Sequence, residues 1–158
     1  MSSRTNFYKK NSIVMQPKSY QCSIVADVTP REAYEGIKDI RGWWAKKVEG
    51  RSEQRWDVFT VRFGATFVTF EIKEDIPEKK IVWDVRDCHL HWISNKKEWN
   101  GMSIVFEIKP AGDRTKVTMI HEGLVPGVEC YEDCEMGWNE HFGESLVSYL
   151  TKQVGMPV

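Results

Sequence analysis

From Tyr20 the apolar residues Tyr20, Cys22, Ile24, Ala26 and Val28 recur at every second position, the period of a strand with one buried face, and only Val25 breaks the alternation. Thr29-Pro30-Arg31-Glu32 then offers an N-cap hydroxyl, a proline preorganised for the first helical position and a carboxylate able to close a capping box. Those residues predict a helix start. Ala33, Tyr34, Ile37 and Ile40 continue at helical spacing, and Gly42 is expected to end the helix just ahead of Trp43-Trp44.

After Val48-Glu49-Gly50 the pattern changes to strands and turns, rich in aromatic and β-branched residues. Phe59, Val61 and Phe63 alternate, as do Val68, Phe70 and Ile72, and a turn around Pro77 leads to Ile81, Trp83 and Val85. Met102, Ile104, Phe106 and Ile108 predict the next strand. Pro110-Ala111-Gly112-Asp113 turns the chain, and Val117, Met119 and His121 form the inward face of the last strand. Pro126-Gly127 precedes a long helix whose stripe runs through Tyr131, Cys134, Trp138, Phe142, Leu146, Tyr149 and Leu150. Short connections favour antiparallel pairing, and the order of strand, helix, strand meander and long helix predicts an α+β fold with helices on one sheet face.

Residues 1–18 show neither period and read as a flexible leader, leaving residues 19–158 as the domain. A chain of 158 residues buries a sizeable core without disulfides or metal. Its 22 Lys and Arg against 23 Asp and Glu give a net charge of -1, so no global field draws it to nucleic acid or to an anionic membrane. No apolar run suits a signal peptide or a membrane span, which makes the expected location cytoplasmic, with no membrane insertion. Cys22, Cys88, Cys130 and Cys134 form no CxxC pair and read first as buried free thiols.

The order and spacing of Thr29-Pro30, Trp43-Trp44, Ile81-Val82-Trp83, Glu98-Trp99-Asn100-Gly101, His121-Glu122-Gly123-Leu124-Val125-Pro126, Glu129-Cys130-Tyr131 and Gly137-Trp138 through Tyr149-Leu150 resemble the START-like (SRPBCC, Bet v 1-like) superfamily. The likeness is to the branch named after the activator of heat-shock protein 90 ATPase, and it runs from about Tyr20 to the C-terminus. It implies a helix-grip fold, a curved antiparallel sheet wrapped around the long C-terminal helix, with a short helical segment after the first strand. It implies fold better than function.

A curved sheet gripping one helix leaves space that large side chains either fill or line, and seven Trp, seven Phe and five Tyr are available. The residues expected around such a space are Phe70, Trp83, Trp99, Phe106, Met119, His121, Trp138, His141 and Phe142. They would hold a small hydrophobic or amphipathic molecule without catalysis, or they form a close-packed core. His121, of inward parity, could orient a ligand, act as a general base, or be satisfied by a core partner. Cys88, Cys130, Cys134 and His121 could converge as a metal or redox site, and His89 with His91 could bind a metal or lie solvated beside Trp92. The expected reading contains no metal and no cofactor. No nucleophile elbow, Walker loop, GxGxxG or HExxH motif occurs. The family likeness also admits a chaperone partner, and the fold admits a cyclase or hydrolase type of enzyme using the cavity.

Overall fold

A computed structural model describes residues 17–158. The leader expected over residues 1–18 therefore lies, apart from Pro17 and Lys18, outside the described residues. The elements run β1 (Tyr20–Ala26), α1 (Pro30–Lys38), α2 (Ile40–Trp43), β2 (Lys47–Gly50), β3 (Val58–Phe63), β4 (Thr66–Ile76), β5 (Lys80–His89), β6 (Ser103–Ala111) and β7 (Arg114–Glu122). The C-terminal helix follows as α3 (Tyr131–Glu140), a π-helical segment (His141–Leu146) and α4 (Val147–Lys152).

The seven strands form one antiparallel sheet in the order β1-β7-β6-β5-β4-β3-β2, so the architecture is the α+β helix-grip arrangement. Its inward face carries the residues that alternate in the sequence: Ile24 on β1, Phe70 and Ile72 on β4, Trp83 on β5, Phe106 on β6, and Val117 and Met119 on β7 are all buried. Register shifts between Thr69 and Phe70 and between Ile72 and Glu74 mark bulges on the β4 to β5 ladder, and bulges of this kind bend and coil a sheet. β5 pairs with β6 only as far as Asp84 opposite Ser103, while its pairing with β4 continues to His89. Beyond Asp84 the two strands stay linked by Val85 N donating to Met102 O at 2.9 Å and Gly101 N donating to Val85 O at 3.3 Å, before the chain runs through the 90–102 connection.

Thr29 caps α1 as its sequence predicts: its hydroxyl accepts from Glu32 N at 3.1 Å and the Glu32 carboxylate accepts from Thr29 N at 3.0 Å. Gly42 does not end this helix. The break falls at Asp39, whose N–H donates to the Glu35 and Gly36 carbonyls, and the chain restarts as α2 with Gly42 inside it. A Cβ on Gly42 would sit within the Tyr149 ring, so this glycine serves a close helix approach rather than a stop.

The C-terminal helix lies over the sheet, anchored by Tyr20 Oη donating to Asn139 Oδ1 at 2.5 Å. Within the π segment the buried Ser145 hydroxyl donates to the Trp43 carbonyl at 2.6 Å and accepts from Met156 N at 2.7 Å, binding helix, α2 and tail together. The tail then pairs along α2, with Val158 N donating to Trp44 O and Lys46 N donating to Val158 O, both at 2.9 Å.

Candidate functional site

The interior beneath the helix divides in two. Under the middle of the sheet the aromatic side chains close on one another: Trp83 meets Phe106 edge to face at 4.8 Å, Phe59 at 5.1 Å and Phe70 at 5.4 Å between centroids, and Phe106 meets Phe142 at 6.2 Å. Phe70, Trp83, Phe106, Met119 and Phe142 are all fully buried here. Toward the end of the sheet where β4 begins and β5 ends, the packing stops short and leaves a cavity of about 260 Å³ that opens to solvent. Of the nine residues expected to surround one space, Trp99, Trp138 and His141 line this cavity, and the other six stand behind it in packed protein.

Trp44, Trp99 and Trp138 form its floor, with Trp44 and Trp138 4.9 Å apart and Trp99 stacked on Trp138 at 6.2 Å. Phe63, Thr66 and Val68, from the β3 to β4 hairpin, supply one wall. Leu90 and Trp92 come from the connection after β5, and Asp133, Cys134 and Gly137 from the first turns of α3. Val158 of the tail touches the rim. Phe63 and Val68 alternate in the sequence without being expected at the cavity, and the loop and tail contributors have no periodicity to place them. Gly137 carried a usable signal: a side chain is missing from the helix stripe between Cys134 and His141, and an added Cβ would meet only His141 Cδ2, at 3.9 Å.

Two carboxylates position the loop against the helix. Glu98 accepts from Glu129 N at 2.8 Å and Cys130 N at 2.9 Å, satisfying donors at the start of the helix. Glu129 reaches back to Ser94 N at 2.6 Å and Asn95 N at 2.9 Å, and these backbone donors hold its carboxyl below the usual carboxylate range. Lys96 Nζ donates to the His91 and Ile93 carbonyls, each at 2.6 Å. At the mouth the half-exposed Trp92 donates its indole N–H to Asp133 Oδ2 at 3.1 Å.

His121 lies behind Trp99 and Trp138 with no exposed surface. The Trp138 indole N–H donates to its Nδ1 at 3.0 Å, which leaves the ring proton on Nε2, 3.2 Å from Met102 Sδ. Trp99 meets the same ring edge to face at 4.6 Å. Burial pushes the His121 pKa down to about 3, so the imidazole is neutral and both nitrogens are occupied by protein. It therefore has no free nitrogen with which to reach a molecule in the cavity or take its proton. His141, at the rim, is also held below its usual value by burial, with Glu140 opposing the shift.

The thiols do not assemble a metal centre. Among the described residues no group of three or more His, Cys, Asp or Glu side chains could hold a metal ion. Cys130 accepts from the Trp99 indole N–H at 3.2 Å, and Cys88 Sγ donates to the Lys96 carbonyl at 3.5 Å. The Cys130 neighbour, together with burial, holds the Cys134 thiol far above its usual range, and burial raises that of Cys88, the opposite of what a nucleophilic thiolate needs. His89 and His91 lie 6.2 Å apart between ring centroids, and His89 stacks on Phe67.

The family described as Activator of Hsp90 ATPase homolog 1-like protein matches residues 36–151, nearly the whole span from α1 to α4. The chain belongs to that family. No curated protein matches it. Among solved structures, the Aha1 dimer from Colwellia psychrerythraea is similar with a TM-score of 0.69 and 18% identity, covering 84% of this chain and 95% of that one. SSP2350 from Staphylococcus saprophyticus gives 0.66 and 16%, covering 86% and 93%. DynU16, from the dynemicin biosynthetic locus, gives 0.67 and 14%, covering 85% of this chain but 48% of its own. At these identities the likeness to the solved structures is one of fold; the family match, together with that fold, supports the Aha1-like branch of the START-like superfamily. Among the described residues no helix is long and apolar enough to cross a membrane.

Proposed function

We infer that this domain binds a small hydrophobic or amphipathic molecule, without catalysis, in the cavity between the β3 to β4 hairpin, the 90–102 connection and the C-terminal helix. The observation that carries this reading is a space of about 260 Å³ walled by four tryptophans in a protein whose core is otherwise closely packed. Interiors normally reach crystal-like density, so an apolar void open to solvent and fixed by two carboxylate clamps is a feature that binding would explain. Trp99, Trp138 and His141 are the contact residues, joined by Trp44, Val68 and Trp92. A cyclase or hydrolase acting through His121 is disfavoured, because that ring is enclosed and both its nitrogens are engaged.

The test uses Gly137. Gly137→Leu extends a side chain into the cavity from a helical position where the first added carbon meets nothing closer than 3.9 Å, and leucine improves helix propensity. N-phenyl-1-naphthylamine, an apolar fluorophore, is titrated into the natural protein and the variant. The expected result is saturable binding to the former and at least a tenfold weaker Kd for a variant that melts no lower. Equal binding by both, or none by either, rejects the cavity as the site.

A further inference from the structure

The cavity has a chemical bias that its apolar character alone does not express. Its wall includes Trp44, Trp92, Trp99, Trp138 and Phe63, and among the described residues no Lys or Arg lines it. Among the described residues the one side-chain carboxylate of the lining, Asp133, stands at the mouth. It is held there as acceptor of the Trp92 indole N–H at 3.1 Å. His141, the other titratable nitrogen at the rim, is kept neutral near pH 7 because burial lowers its pKa. Glu132 and Asp133 lie in the first turn of α3, where two carboxylates outweigh the partial positive charge of a helix N-terminus. Glu129, one turn earlier, is occupied with the loop backbone and adds to the same negative field.

Aromatic faces attract cations through the ring quadrupole, most strongly those of tryptophan, and the attraction grows when the site is shielded from water. A cavity walled by indoles with one carboxylate at its entrance therefore complements a positive charge on an apolar body. An anionic amphiphile would meet the Asp133 carboxylate, with no Lys or Arg among the described lining residues to receive it. A wholly neutral molecule would leave Asp133 and the ring quadrupoles unused.

We propose that the molecule this cavity takes is a quaternary or tertiary ammonium compound carrying an apolar or aromatic group, its cation between the indole walls and Asp133. The proposal rests on the cavity being a binding site and adds the charge of the ligand. Phenyltrimethylammonium and tert-butylbenzene form a suitable pair of probes, having the same shape and differing by the charge of one central atom. Binding is measured by calorimetry at low salt for the natural protein, Asp133→Asn and Trp92→Ala. An asparagine keeps an acceptor for the Trp92 N–H while removing the charge, and Trp92 is half-exposed, so both variants retain the packed core.

The expected result is that phenyltrimethylammonium binds the natural protein roughly tenfold more tightly than its neutral isostere. Asp133→Asn removes most of that preference and leaves tert-butylbenzene unaffected, and Trp92→Ala weakens the cation more than the isostere. Equal affinity for the two probes, or preference for tert-butylbenzene, overturns the ammonium assignment while leaving the cavity as a site for apolar molecules. A preference that survives Asp133→Asn at full strength overturns the role of that carboxylate and with it the proposed placement of the charge. Failure of both probes to bind at millimolar concentration removes the underlying reading as well.

Discussion

The buried His121 should make this domain less stable as the pH falls below neutrality. The imidazole is neutral and enclosed, with a pKa of about 3 in the folded protein against 6.5 for a histidine in the unfolded chain. Between those values the unfolded state binds a proton that the folded state refuses, so stability falls as the pH drops below about 6.5 and the dependence flattens below about 3. At pH 5 the difference corresponds to about 2 kcal/mol, which for a domain of this size lowers Tm by roughly 4 to 8 °C relative to pH 7. His141 is shifted in the same direction and adds to the effect. The carboxyls of Glu49, Asp87 and Glu129, all held below their usual range by bonded partners, withdraw their contribution only at lower pH, so they do not mimic the signal above pH 5. Calorimetric scans from pH 7 to pH 5 on the natural protein and on His121→Asn, which retains an acceptor for the Trp138 indole, would isolate the term. NMR of the His121 ring follows its charge directly in the unsubstituted protein. A ring that titrates near pH 6.5 while the domain remains folded, or a Tm that is flat over this interval, would refute the reasoning.

Three substitutions probe the supports of the cavity. Gly42→Ala drives a methyl group into the Tyr149 ring and should destabilise the domain by about 1 to 3 kcal/mol in denaturant titrations, an unchanged midpoint counting against the close contact of α2 with the C-terminal helix. Ser145→Ala leaves the Trp43 carbonyl and the Met156 N–H without their shared partner; a loss of about 1 to 2 kcal/mol is expected, together with faster amide exchange in the tail. Glu98→Ala strips two backbone donors at the start of α3 of their acceptor, at a cost of about 1 to 2 kcal/mol. Proteolysis in the 90–102 connection should quicken in the same variant, and unaltered cleavage would show that the clamp does not order the loop.

The parts of this fold that could be read from the sequence are those where a periodic burial demand acts on every residue. β1 and β7 alternate, apart from Val25 and Ile120, because each has one face on the core, and the Thr29 to Glu32 capping box is a local motif that needs no tertiary partner. β2 was missed because Lys47–Gly50 has four residues with Val48 alone turned inward, too few to establish a period. Gly42 looked like a helix stop because the Tyr149 ring that explains it arrives from the far end of the chain. The π segment lay hidden within a stripe of apolar residues that a regular helix would also show.

The sequence left open whether the aromatic residues fill the space beneath the helix or line it. Seven Trp, seven Phe and five Tyr could either fill or line that space, and of the nine residues expected around it Trp99, Trp138 and His141 line the opening. The inward parity of Phe70, Trp83, Phe106, Met119 and His121 placed them on the concave face without revealing how completely they pack on one another beneath the C-terminal helix. The opening lies to one side, between the β3 to β4 hairpin and the 90–102 connection, and the path of that connection is set by Glu98 and Glu129 across thirty or more residues of sequence.

Binding in the cavity is tested most directly by a crystal structure of the protein grown with N-phenyl-1-naphthylamine. The account predicts electron density for the compound against Trp99, Trp138 and Val68, with the central cluster around Trp83 unmoved. Density only elsewhere on the molecule, or a cavity closed by the Trp92 and Trp138 side chains and empty of the compound at saturating concentration, would contradict it.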